Sequence, residues 1–394
     1  MRFARSLARG WTRWSSEATS SKNERPRMIR QGAIALLGRA DKPTDGVEEY
    51  CNHLGEALRG RGISLAIERV AWEKRGWRRA LRSLRRHARA WKDSWVLVQY
   101  TALAWSARGF PLRISRVLRT LNRVGARIAV VYHDVEPFTG PRLIDRLRHS
   151  AQLHAMRQAM NACEVAVFTV PMEKLTWMQP HYTHSVFIPV GANLPVAGQA
   201  ASRKRVASDG KLNIAVFSVT GGDFLQREVD DITRAVRFAA SRLKNLKLTV
   251  FGRHSEDAES EFRKRLDGAP VEIRVLGLLS DEDVVRTMSN CDVLLFVRGP
   301  ISTRRSSAIA GIACGLPVIA AEGPETSSLI KDAGVAFYTP QKKGDLGEVL
   351  LHVLEDQHYR ADLARRSWIA QHRFFSWTVI AARYADFLET KSKL

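Results

Sequence analysis

The feature that most constrains the fold of this chain is an alternation of short apolar runs with longer helical stretches. The first series of strand-like runs covers 33–37, 63–70, 95–100, 127–132, 165–170 and 186–190, and the second covers 212–217, 246–251, 273–276, 293–297 and 317–320. Continuous apolar strands separated by helices predict parallel sheets covered on both faces. We therefore predict an α/β fold with two tandem doubly wound parallel sheets. Such a pair places a ligand cleft between the domains, at the carboxyl ends of the strands.

Domain boundaries follow from a break between the two series. With 394 residues the chain exceeds one usual core and suits two domains. Residues 194–210, rich in Pro, Gly, Ser and Lys/Arg, predict a linker between a first domain at 28–193 and a second at 211–372, and 373–394 predict a terminal helix. Residues 1–27 predict a disordered basic tail that is too polar for a secretory signal, and Met28 is an alternative start.

Cysteine usage and hydropathy bear on the compartment. The four cysteines are far apart, and none has a partner at the spacing of a zinc site. We read them as small buried apolar residues in a reducing cytosol. No apolar run approaches the roughly 20 residues of a membrane-spanning helix. A cytoplasmic protein without an integral membrane segment is expected.

Positive charge is concentrated in the first half. Residues 1–200 hold 33 Lys+Arg against 15 Asp+Glu, a net of +18, and residues 201–394 hold 29 against 25, a net of +4. The segment 77–91 predicts an amphipathic basic helix with a tryptophan at each end. Such helices lie on anionic membrane surfaces, although an apolar stripe packed into the core with solvated arginines gives the same pattern. The chain has no recognisable nucleic-acid motif, so no specific nucleic-acid partner is expected.

Five segments in sequence order resemble the retaining glycosyltransferases of family 4, over about residues 30–390. They are the loop and helix start 44–50, the strand end 131–134, the turn 188–193, the helix and strand 310–319, and Phe375–Trp377 with Tyr384. The resemblance implies a GT-B fold, with an acceptor-side first domain and a second domain that binds the nucleotide sugar. It also implies retention of the anomeric configuration, and no metal or other cofactor.

The resemblance assigns roles in the first domain to four residues. His133 corresponds to the family's active-site histidine and is expected to orient the sugar or the acceptor, although a histidine that caps a strand is the plainer alternative. Asp134 is a candidate for acceptor contact or structural support. Asp45 and Gly46 lie where a strand meets a helix, and Gly46 would let the backbone approach a phosphate or acceptor closely.

The second domain departs from the family pattern. Two glutamates eight positions apart are usual, the second holding the ribose, but Ser302 and Ala310 occupy these positions. Guanidinium groups suit diphosphate or acidic sugars, and the candidates here are Arg298, Arg304 and Arg305, with a solvated basic loop as the alternative. Further substrate-binding candidates are Thr220, Gly221 and Gly222 as a phosphate-binding turn, Arg227 as the substitute for a family lysine, and Glu325 at a family acidic position.

The sequence thus predicts a hexosyl-type transferase that moves a sugar from a nucleotide diphosphate sugar to a glycan or lipid-linked acceptor. The basic first domain places it as a peripheral protein on the cytoplasmic membrane face, in cell-surface polysaccharide or glycolipid synthesis. The alternative is a catalytically inactive GT-B-like scaffold in a glycan-assembly complex, because both family glutamates are missing.

Overall fold

The computed structural model describes residues 31–41, 45–179, 181–194, 210–342 and 344–389. The predicted tail at 1–27 and nearly all of the predicted linker at 194–210 lie outside these ranges.

The first domain is built on a parallel sheet. Its strands are β1 (Gln31–Leu37), β2 (Ile63–Arg69), β3 (Trp95–Tyr100), β4 (Arg127–Tyr132), β5 (Val165–Phe168) and β6 (Ser185–Phe187). Its helices are α1 (Gly46–Arg59), α2 (Trp72–Arg75), α3 (Trp77–His87), α4 (Ile114–Arg123) and α5 (Leu143–Ala162). The strand order is β2-β1-β3-β4-β5-β6, and every residue of the inner strand β3 is buried. Helices therefore cover both faces, with α1 on one and α3, α4 and α5 on the other.

The second domain repeats this plan. Its strands are β7 (Leu212–Phe217), β8 (Leu246–Phe251), β9 (Val271–Val275), β10 (Val293–Phe296), β11 (Val318–Ala321) and β12 (Val335–Tyr338). Its helices are α6 (Leu225–Ala240), α7 (Glu259–Arg265), α8 (Asp281–Ser289), α9 (Ser306–Ala313), α10 (Ser328–Asp332), α11 (Asp345–Glu355), α12 (Gln357–Ala370) and α13 (Trp377–Leu388). The order β12-β11-β10-β7-β8-β9 is that of a dinucleotide-binding domain. The predicted fold class is confirmed.

The segment 310–319 owes its composition to a close approach between α9 and β10. A Cβ added to Gly311 would lie 2.5 Å from a Leu294 methyl group, so only glycine lets the helix lie this close to the strand. Gly315 has a φ of +71°, which ends the helix in a left-handed turn before β11.

The last helix, α13, packs against the first domain. The hydroxyl groups of Tyr50 and Tyr384 lie 2.9 Å apart and share a hydrogen bond between α1 and α13. The Trp95 indole N–H donates to the carbonyl of Leu388 at 3.1 Å, and the Trp377 indole N–H donates to the carbonyl of Ala192 at 2.6 Å. These contacts tie the end of the chain to the first sheet.

The amphipathic segment 77–91 has its apolar stripe in the core. Leu81 and Leu84 are buried, Trp91 is only 9% exposed, and Trp77 stacks on Trp72 with ring centroids 5.1 Å apart. Both tryptophans therefore pack toward the core, as the packed-helix alternative describes for this side of α3. Within the described ranges, no helix is both long enough and apolar enough to cross a bilayer.

Candidate functional site

A cleft of about 520 Å³ lies where the strand order of each sheet reverses. In the first sheet the reversal falls between β1 and β3, and in the second between β7 and β10. Helices after the two strands at such a point diverge to opposite faces, which leaves a crevice at their carboxyl ends. The residues that follow these strands line the cleft, among them Gly38, Thr101, Ser218 and Arg298. The cleft is therefore a consequence of the topology.

His133 is fixed at the cleft by the ends of two strands. Its backbone N–H donates to the carbonyl of Tyr100, and its Nε2 lies 2.8 Å from Oε1 of Gln99. The Gln99 amide nitrogen donates to the Leu97 carbonyl at 3.1 Å, so Oε1 is left as an acceptor. This assigns the His133 proton to Nε2 and leaves Nδ1 with a lone pair.

The imidazole of His133 is neutral. Burial lowers the pKa of His133 to about 4, with a smaller opposing effect from Asp45 and a further lowering from Arg304. The ring also packs edge-on against Tyr50, with centroids 5.0 Å apart. A rigid neutral imidazole can accept a hydrogen bond from a sugar hydroxyl without placing a charge there.

The two predicted carboxylates on this wall, Asp45 and Asp134, already have partners. Asp45 caps α1 by accepting from the N–H groups of Val47 and Glu48, and it pairs with Arg69 at 3.1 Å. Asp134 accepts from the N–H of Ala102 at 2.7 Å, and burial raises its pKa despite that bond. Both residues line the cleft, as does Gly46, but their observed contacts position backbone.

Two arginines of the opposite wall lie on neighbouring loops. Arg298 follows β10, and its Nε donates to the Thr220 hydroxyl at 3.3 Å. Burial lowers the pKa of Arg298, with Glu228 opposing this effect and Arg253 adding to it. Arg253 follows β8, pairs with Asp41 of the first domain at 3.3 Å, and also lines the cleft. Sequence reasoning missed Arg253; a basic residue directly after a predicted strand and a glycine was the available signal.

The predicted phosphate-binding turn serves to support Arg298. The N–H of Thr220 donates to the buried carboxylate of Glu228 at 2.7 Å, so this donor is already occupied. Gly221 lies under the ring of His254, where a Cβ would come within 2.9 Å, and Gly222 has a φ of +67°. None of the three lines the cleft.

Arg304 reaches the cleft while paired with Glu325. Its Nε and one terminal nitrogen donate to the two oxygens of Glu325 at 2.7 and 2.8 Å. Burial disfavours both charges, but the paired bonds outweigh it, so the pKa of Arg304 is raised and that of Glu325 is lowered. Glu325 itself does not line the cleft. Arg304 and Glu325, both predicted to bind substrate, thus form an ion pair of which only Arg304 lines the cleft.

The remaining predicted residues lie off the cleft. Arg305 is next to Arg304 but does not line it, and its buried Nε has no hydrogen-bond partner in the described structure. Arg227 is exposed on α6. The position of the missing ribose carboxylate, Ala310, does line the cleft, together with Ser306 and Ser307 from the first turn of α9. Among the described residues, no group of three or more His, Cys, Asp or Glu side chains could hold a metal ion.

The fold and the cleft together define a GT-B protein, with two Rossmann-like domains and a site between them. Residues 200–368, which include nearly all of the second domain, match the family model described as glycosyl transferases group 1. No curated protein matches the sequence.

Solved structures with the same fold come from nucleotide-sugar enzymes and related proteins. A glycosyltransferase from Rickettsia africae is 12% identical with a TM-score of 0.66, covering 92% of this chain and 99% of that one. HepE from Anabaena, in complex with UDP and glucose, is 13% identical with a TM-score of 0.60, covering 91% and 99%. Sucrose-phosphate synthase from Thermosynechococcus elongatus is 15% identical with a TM-score of 0.62, covering 91% and 98%. At these identities the likeness shows the fold alone.

Proposed function

We propose that this protein is a glycosyltransferase that takes a sugar from a nucleotide diphosphate sugar and transfers it to a glycan or lipid-linked acceptor. One observation carries the proposal: a neutral His133 on one wall of the cleft lies across from Arg253 and Arg298 on the other. A neutral acceptor suits a sugar hydroxyl, and guanidinium groups suit the diphosphate that leaves. The group 1 domain and the UDP bound by the Anabaena neighbour agree with this division.

In the proposed reaction the bond between the anomeric carbon and the diphosphate oxygen breaks as the acceptor hydroxyl oxygen bonds to that carbon, and the proton of that hydroxyl passes to the departing diphosphate. Negative charge develops on the diphosphate, and Arg298 and Arg253 stabilise it from positions fixed by Thr220 and Asp41. His133 orients the sugar through Nδ1. Ser306 and Ser307 offer hydroxyls to the ribose where the family carboxylate is replaced by Ala310. Retention of configuration, action without a metal and membership of family 4 belong to the proposal through the sequence resemblance.

The second candidate function is a scaffold that has lost catalysis. Ala310 in the cleft favours it, because the side chain at this position has no carboxylate to hold a ribose. Arg304 favours it too, since the Glu325 carboxylate already occupies its hydrogen-bonding fork. The two candidates differ in whether the cleft binds nucleotides.

A thermal-shift screen with UDP, GDP, dTDP and their sugar conjugates separates the two candidates. A ligand at about 100 times its Kd stabilises the folded state by about 2.7 kcal/mol. The unmodified protein is expected to show a shift with at least one nucleotide sugar, and Arg298→Gln is expected to abolish it while leaving the melting temperature without ligand nearly unchanged.

The matched control is Arg227→Gln, which removes the same charge from an exposed site of the same domain. It should keep the full ligand-induced shift. No shift with any nucleotide at roughly millimolar concentration would reject the enzyme and favour the scaffold. Equal losses in Arg298→Gln and Arg227→Gln would reject the role of Arg298.

A further inference from the structure

Two facing rows of arginine line a groove of about 400 Å³ between α3 and α4. Arg78, Arg82 and Arg85 come from α3, and Arg116, Arg119 and Arg123 come from α4. Each set is spaced by three or four residues, so each forms one row along its helix. Helix α3 connects β2 to β3 and α4 connects β3 to β4. Because these strands are parallel, the two helices run in the same direction, and their arginine rows lie side by side across the groove. We call this the arginine groove.

The arginine groove has no acidic counterpart in the described structure. Residues 74–133 contain 15 Lys+Arg and one acidic residue, Asp93. All six groove arginines are exposed, and no described carboxylate pairs with any of them. Like charges at these spacings repel one another. An external polyanion would relieve that repulsion, which indicates a binding surface.

Exposed aliphatic side chains lie on the same face of the domain. At the start of α5, Leu143 is 75% exposed, Leu147 59% and Ile144 46%, and we call these three residues the apolar tip. Next to the groove, Arg119 also lines a second depression with Asn122 of α4 and Gln158 of α5, near the end of α5 that lies away from the apolar tip. The loop before α4 is bound to α5 as well, since Arg148 donates to the carbonyl of Arg108 at 3.1 Å. Charge and apolar surface are thus parts of one face.

We propose that the arginine groove and the apolar tip dock on the surface of an anionic bilayer. Arginines attract acidic headgroups, and exposed leucine and isoleucine side chains enter the boundary between headgroups and acyl chains. A nucleic acid would use the charge but has no use for an exposed aliphatic tip, so the bilayer fits both halves of the surface. The two tryptophans of segment 77–91, which the sequence alone had indicated, are not the inserting groups, because Trp91 is buried in the core and Trp77 packs against it.

The docked orientation follows from the topology. Because α3, α4 and α5 each begin at the edge where the strands end, the apolar tip lies on the cleft side of the domain. The loop from β4 to α5, which begins with His133, then meets the headgroups. If the proposed glycosyl transfer holds, this orientation favours an acceptor carried on a lipid. Docking itself does not depend on that reaction.

Co-sedimentation of the full chain with vesicles tests the proposal. Vesicles of phosphatidylcholine alone are compared with vesicles containing roughly a third phosphatidylglycerol at about 0.15 M salt. Binding is expected only to the anionic vesicles. The triple variant Arg82→Gln/Arg85→Gln/Arg119→Gln should bind on the order of 100-fold more weakly, at about fivefold for each arginine. Leu143→Ser/Leu147→Ser should also weaken binding while keeping its salt dependence.

The matched control is Arg227→Gln/Arg242→Gln/Lys244→Gln, which removes three exposed charges from the second domain. It should bind within about twofold of the unmodified protein, because these charges lie off the docking face.

Equal losses in the control and groove variants would overturn the proposal, since net charge alone would then explain binding. Failure of the unmodified protein to bind anionic vesicles would overturn it too. The proposal would also be overturned if an oligonucleotide at physiological salt displaced the protein from anionic vesicles, and did so equally well for Leu143→Ser/Leu147→Ser. The shift in melting temperature with nucleotide sugars is measured on the same variants. A variant that loses vesicle binding but keeps this shift has lost docking and not nucleotide binding.

Discussion

The two domains share one six-stranded parallel plan but use arginine in opposite ways. In the first domain the arginines of α3 and α4 stand exposed in rows without carboxylate partners in the described structure. In the second domain Arg298 is held by Thr220, and Arg304 is held by Glu325. Partnered arginines are fixed in one geometry and can recognise a small ligand. Unpartnered ones supply a field that suits an extended anionic surface.

Breaking the Arg304–Glu325 pair should give the largest effect on stability. Removing one partner of a fully buried ion pair costs about 3–5 kcal/mol of stability. The two side chains here are 22% and 19% exposed, so the cost should be smaller. We expect Arg304→Gln to lower the free energy of unfolding by about 2 kcal/mol. Chemical denaturation measures the change. Arg365→Gln, which breaks the exposed pair with Asp362, should cost less than about 1 kcal/mol. Equal costs would show that partnering at the cleft confers no special rigidity.

Acidification tests the neutral wall of the cleft. Because the pKa of His133 is about 4 in the folded protein, the unfolded chain binds a proton between about pH 6.5 and pH 4 that the folded one does not. Its contribution to stability is therefore complete above pH 6.5 and lost as the pH falls toward 4. We expect His133→Gln to lose roughly 3 kcal/mol less than the unmodified protein over this interval. Parallel curves of stability against pH for the two proteins would mean that His133 takes up its proton over the same pH range in the folded protein as in the unfolded chain.

The smallest effect is expected from a single arginine of the first domain. Arg82 lies three or four residues from Arg78, Arg79, Arg85 and Arg86, so Arg82→Gln removes like-charge repulsion. The melting temperature should rise slightly at low salt, corresponding to less than about 1 kcal/mol, and the difference should vanish near 1 M salt as the charges are screened. A fall in the melting temperature at low salt would contradict the description of these arginines as unpartnered.

Most of the fold could be predicted from sequence because parallel strands buried on both faces leave a simple signal. The runs at 95–100 and 127–132 coincide with β3 and β4, and the segment 310–319 spans the end of α9 and the first half of β11.

The candidate site was predictable only in part. His133 and Arg298 directly follow apolar strands, and both line the cleft. The roles of Thr220 and Arg304 were not visible, because each depends on a partner distant in sequence: Thr220 on Arg298, and Arg304 on Glu325. Arg227 lies off the cleft because α6 turns this side chain toward solvent. Spacing along the chain does not reveal such pairings.

By itself the sequence determined the alternation of strands and helices, the division into two domains and the basic character of the first. These features follow from the spacing of apolar residues and from local composition, both of which can be read from short stretches of sequence. Only the tertiary structure decided that Trp77 and Trp91 pack toward the core and that Leu143 and Leu147 are exposed. It alone brought Arg253 and Arg298 to one cleft, and Glu325 against Arg304. The physical reason is that burial and charge pairing are properties of neighbours in space, which parallel strand crossovers bring together from distant parts of the chain.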